Sequence, residues 1–175
     1  ALDGWNRSSI IKISAAVTSV FLAFFICLLT MNHWKDQGLR YEELNYLTRP
    51  YRSVFLSSVL IGTAGGTLDT VITVIATLEE LTKRQPEITA KQLWLSGRQV
   101  GRDVIGSMTN ILLFVYISGS VPSLLLYLGN QWSFKETIEQ HLSLEFLRVI
   151  AGSLGIVLSI PISVLFFLTV RRLKR

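Results

Sequence analysis

Four apolar runs decide what this chain can fold into. Residues 13–31, 54–78, 104–128 and 149–170 each span 19 or more positions, and together they carry one charged side chain, Asp69. About 18 consecutive apolar residues are enough to cross a bilayer as a helix. A soluble domain would have to cover four such helices with the rest of its 175 residues, and too little chain is left. Composition agrees: 17% of residues are charged, against about 25% in a soluble domain. The expected fold is therefore all-α. It is a polytopic membrane protein with four transmembrane helices in one domain over residues 1–175. No small-residue cleavage site follows Met31, so the first run reads as a span rather than a signal peptide.

The net charge is +5, from 17 basic and 12 acidic residues. In a soluble chain that excess would raise nucleic acid as a partner. Here the basic residues flank the apolar runs, so the lipid bilayer is the expected partner and nucleic acid is not. Four spans put both termini on one side, together with the 79–103 loop, and that side carries 11 of the 17 basic residues. The bias, with its terminal "RRLKR", predicts cytoplasmic termini. Within the loop, Pro86 interrupts the chain and "TAKQLWLSGRQVGRD" reads as a short cytoplasmic interfacial helix between spans two and three. Thr89 is its expected N-cap, and Leu93 and Trp94 its apolar contacts. Arg102, Asp103 and Arg148 sit where apolar runs begin and read as interfacial anchors. Trp34, Tyr41, Tyr46, Tyr51, Trp132 and Phe134 fit an aromatic belt on the outer side.

The spans are not uniform cylinders. Ser58, Gly62, Gly66 and Thr70 recur every fourth residue, a small-residue ridge that lets another helix approach closely. In span three, Gly119 loosens the turn in which Pro122 cannot donate to the Ser118 carbonyl. In span four, Pro161 frees the carbonyl of Val157. Such positions predict helix breaks, which membranes tolerate where the freed backbone is buried or wet. Counting along each helix puts Asp69 about 13 Å, Asn110 about 10 Å and Pro161 about 15 Å from the cytoplasmic ends of their runs. Thr73 continues the face of Asp69, and Ser107 and Thr109 border Asn110. These five polar residues form an expected substrate or ion pathway near mid-membrane, because a carboxylate there must be paired, protonated or wet.

Catalytic chemistry lacks its parts. The two histidines, His33 and His141, fall in outer loops, so there is neither an HExxH zinc site nor a Ser–His pair within the spans. "GTAGG" at 62–66 is neither a dinucleotide fingerprint nor a phosphate loop. An aspartyl dyad would need a second carboxylate at the depth of Asp69. Cys27 alone can form no intrachain disulfide and reads as a packing residue. No enzyme activity, catalytic residue, metal or cofactor is expected.

Several stretches do resemble a family. "GWNRSS" (4–9), "GTAGGTLDTVITVIATLEEL" (62–81), "SGRQVGRDVIGSMTNILLFVYISGSVPSLLL" (96–126) and "RVIAGSLGIVLSIPIS" (148–163) resemble, in order, the YibE/F-like bacterial membrane proteins. The family's glycine-rich stretch ending in Asp resembles Gly62, Gly66 and Asp69. Its GRD motif resembles Gly101, Arg102, Asp103, Gly106, Met108, Thr109 and Asn110, and its R-x-x-x-G-S-x-G motif resembles Arg148, Gly152, Ser153 and Gly155, followed by Pro161. The resemblance implies a multi-pass protein of the bacterial cell membrane, with this chain a piece of a longer or split protein. Two functional readings follow from the residues. The first is a permease or transporter for a small solute or ion, using the midplane Asp/Asn site. The second is an assembly subunit of a larger complex that moves nothing itself. In either case a homo-oligomer or a partner membrane subunit is expected.

Overall fold

In hydrocarbon the backbone must satisfy its own N–H and C=O groups, so an apolar run of this length resolves as a helix. The computed structural model describes residues 7–33, 35 and 51–172, leaving aside the side chains of residues 7 and 139–141. Trp34, Tyr41, Tyr46, His141 and the last three residues of "RRLKR" therefore lie wholly or in their side chains outside the described residues. Within those bounds the structure is all-α, with helices α1 (Arg7–His33), α2 (Tyr51–Arg84), α3 (Ala90–Gly129) and α4 (Phe134–Arg172). All four are long and apolar enough to cross a membrane, which makes this a multi-pass membrane protein.

The helices alternate in direction. Lys12 of α1 pairs with Glu79 of α2 at 3.6 Å, and Arg171 of α4 donates to the Pro86 carbonyl at 2.8 Å. The start of α1, the α2–α3 turn and the end of α4 thus share one end of the bundle. At the other end Arg52 donates to Asn32. α2 and α4 run parallel and form the centre; α1 and α3 pack on both of them but not on each other.

The interior has two apolar clusters. One, at the end holding Lys12 and Glu79, gathers Ile11 and Ala15 from α1, Val74, Ile75 and Leu78 from α2, Leu93 from α3, and Ile160 and Val164 from α4. The other gathers Cys27, Met31, Phe55, Val59, Leu144 and Ala151. Burial of these side chains is the packing that holds helices together once lipid has removed the hydrophobic drive between them.

Two features differ from the sequence expectation. α3 is one helix of 40 residues, so 90–103 forms its first turns rather than a separate interfacial helix. Its start is fixed by a capping box: Thr89 accepts from Gln92 N–H and Gln92 reaches back to the Thr89 N–H. With no proline between Ala90 and Val121, the apolar run simply prolongs that helix. The helices also continue through Gly119, Pro122 and Pro161. A proline removes one intrahelical hydrogen bond, and the flanking turns keep theirs.

Candidate functional site

Close contacts set the register at which the polar residues meet. Extra carbon on Gly62 would lie 1.7 Å from the Tyr116 hydroxyl, and on Gly66 it would lie 3.7 Å from Leu112. Gly62 therefore faces Tyr116 and Gly66 faces Leu112, so α2 and α3 are antiparallel and Asp69 lies level with Thr109. Gly66 also meets Ile156 of α4 at 3.1 Å. The parallel α2/α4 pair then places Asp69 within about one turn of Pro161.

Level is not contact. Asp69 is exposed on the edge of α2, flanked by exposed Leu68 and Ile72. Thr73 is half-exposed one turn on and donates to the Asp69 carbonyl at 2.9 Å, which occupies its hydroxyl within the helix. On α3, Leu112 points into the bundle, so Asn110, two residues earlier, falls on roughly the opposite side of the helix. Asn110 and Ser107 are exposed and Thr109 is half-buried. Among the described residues, neither the Asp69 carboxylate nor the Asn110 amide has a side-chain hydrogen bond or ion pair. The structure thus sets the five residues at one depth without joining them in one chain. The cleft of about 360 Å³ between α3 and α4 does not reach Asp69.

Arg148 and Ser58, which the sequence assigned separate roles, are joined. The Arg148 Nε donates to Ser58 Oγ at 2.9 Å, a second nitrogen pairs with Glu145, and the guanidinium lies 5.2 Å from the Phe55 ring centroid. Arg148 and Glu145 keep only 12% and 17% of their side-chain exposure, so this pair within α4 is largely desolvated, and the bond from Arg148 to Ser58 joins α4 to α2.

Apart from Thr70, sequence reasoning missed a set of buried hydroxyls on the inner faces of α1, α2 and α4. Ser19, Thr63, Thr67, Thr70, Ser159 and Ser163 are all buried. Ser19, Thr70, Ser159 and Ser163 donate to carbonyls of their own helices at 2.6–2.8 Å. The Thr63 and Thr67 hydroxyls have no partner among the described residues. Gly155 makes room for them, since extra carbon there would meet Thr63 at 2.5 Å and Thr67 at 2.8 Å. The fourfold spacing of Thr63 and Thr67, and of Ser159 and Ser163, is the signal that could have revealed this set.

Comparison with known proteins gives one positive result. A family model described as YibE/F-like protein matches residues 1–172. No curated protein and no solved structure matches the chain.

Proposed function

Because the chain belongs to the YibE/F-like family, a multi-pass membrane architecture is the premise from which we propose its function. It is a subunit of an oligomeric permease for a small ion or solute, and Asp69 lines the pathway where subunits meet. One observation carries this reading: Asp69 is exposed at mid-span on the outside of a single bundle. A charged side chain facing lipid at that depth costs about 2.5–3.5 kcal/mol on insertion scales. A second protein surface or a water-filled seam removes that cost. A carboxylate so placed can bind a cation or carry a proton, with Thr73 beside it and Ser107, Thr109 and Asn110 at its level offering further oxygen and amide ligands. Both termini lie in the bacterial cytoplasm in this reading, as the distribution of basic residues favours.

That the cleft between α3 and α4 does not reach Asp69 favours a second reading, an assembly subunit that moves nothing. Asp69→Asn separates them, since it keeps shape and hydrogen bonding and removes the charge. Reconstituted into vesicles, a transporting protein with this substitution assembles normally and loses ion- or pH-dependent flux. An assembly subunit with a charged partner instead dissociates or is degraded. Normal assembly with unchanged flux would remove Asp69 from either role.

A further inference from the structure

Arg98 and Arg102 stand where the fold gives them no counter-charge. Both are exposed on α3, and neither has an ion pair or hydrogen bond among the described residues. Extra carbon on Gly97 would meet Val164 at 2.5 Å, and on Gly101 it would meet Ile160 at 2.5 Å, so this stretch of α3 runs beside the apolar part of α4. Counting from those contacts, one residue further along antiparallel α3, sets the two arginines about 12 and 18 Å from the level of Arg171. Gly97 also meets Leu78 at 3.5 Å, next to the Glu79 that pairs with Lys12, so Arg98 lies near the level of that pair and Arg102 one turn further in.

The surroundings say what sort of anion fits. Trp94, Arg98, Arg102 and Ile105 follow one another at spacings of four, four and three, so they form a single stripe on α3. Opposite them, Val157, Ile160, Pro161 and Val164 make an apolar wall on α4. The cleft between measures about 360 Å³. Along α3 the lining runs from Trp94 through the two arginines to the apolar Ile105. Asp103 is adjacent in sequence but is not among the lining residues.

We propose that this cleft binds an anionic phospholipid, its phosphate held by Arg98 and Arg102 and one acyl chain lying along Ile105, Val157 and Pro161. Guanidinium groups suit phosphate because their fork of donors matches two oxygens at once. A lipid fits better than a soluble phosphate because the apolar half of the cleft needs a chain to fill it. Basic pockets between helices on the cytoplasmic side are a known physical setting for anionic headgroups. The bound lipid supplies a counter-charge to both arginines.

The full chain in neutral detergent tests this by native mass spectrometry and thermal melting. Titrations use phosphatidylglycerol, phosphatidylcholine and inorganic phosphate. Phosphatidylglycerol is expected to bind and raise Tm, while the other two do neither. Arg98→Gln and Arg102→Gln each weaken phosphatidylglycerol binding about fivefold, and together about thirtyfold, at the usual contribution of one basic residue. Lys91→Gln, on the first turn of α3 and outside the cleft, leaves it unchanged. Because both arginines are exposed and unpaired, the melting curves without lipid stay like the parent's and report folding independently. Equal binding of phosphatidylcholine, equal stabilisation by inorganic phosphate, or full phosphatidylglycerol affinity in the double variant would each overturn the proposal.

Discussion

At the scale of single residues, glycine separates into two kinds that the sequence cannot tell apart. Gly155 is buried between α1, α2 and α4, where added carbon meets Thr63, Thr67 and Ala23. Gly119, like Gly106, has nothing within 4 Å of the added carbon. Gly155→Ala therefore overpacks a rigid contact and should cost about 1–3 kcal/mol. Gly119→Ala should be neutral or gain up to about 1 kcal/mol from helix propensity. Reversible unfolding in mixed micelles reads both, and equal destabilisation by the two would refute the assignment. Gly62 is intermediate, because the atom it meets is the mobile tip of Tyr116. Arg148 admits the same kind of contrast. Arg148→Ala strands Glu145 in a largely buried position and should cost about 3 kcal/mol. Arg84→Ala removes a pair whose side chains are 75% and 55% exposed and should leave the unfolding curve unchanged.

At the scale of elements, the four helices were legible because 19 or more apolar residues in a row admit no other backbone-satisfied structure. Their ends were less so. The run that begins at Val104 belongs to a helix that begins at Ala90, since apolar periodicity marks the buried face and not the cap. Thr89 was readable as that cap because a hydroxyl followed three residues later by Gln92 is a local signature. Thr89→Ala should cost about 1 kcal/mol and loosen the first turns of α3. Faster amide exchange at Leu93 and Trp94, with residues 110–120 unchanged, is the expected result; a uniform change would mean that the cap stabilises the bundle generally. Pro122 and Pro161 were less informative than they looked. A missing N–H forbids one hydrogen bond, but neighbouring helices decide whether the axis breaks. Depth was legible for Asp69 and Asn110 by counting rise per residue, whereas the face each presents depends on which side of α3 packs inward. A sequence without a partner helix does not specify that.

At the scale of the whole molecule, alternating direction brings Lys12, Glu79, Pro86 and Arg171 to one end and Asn32 and Arg52 to the other. If the basic end is cytoplasmic, Lys135→Cys is labelled from outside intact cells by an impermeant thiol reagent and Glu87→Cys is not. The reverse pattern would invert the topology. The same geometry constrains the proposed association of copies. Asp69 and Asn110 sit at one depth but on different faces, so one copy cannot satisfy one with the other. A second copy, turned so that the α2 edge of one meets the outer face of α3 in the next, brings the two together. Where that contact is heterologous it repeats from copy to copy into a ring or an open chain, whereas a two-fold dimer makes it twice and stops. Leu68 and Ile111 border these polar groups and are 44% and 52% exposed, so cysteines there report the contact without removing either group. In a Cys27→Ser background, Leu68→Cys with Ile111→Cys should cross-link in membranes into a ladder of dimers and higher multiples, while each single cysteine stays largely monomeric. Efficient dimers from Leu68→Cys alone would indicate a two-fold contact through α2. No cross-linking in any combination would leave Asp69 facing a different subunit or water, and the pathway between copies of this chain would be wrong.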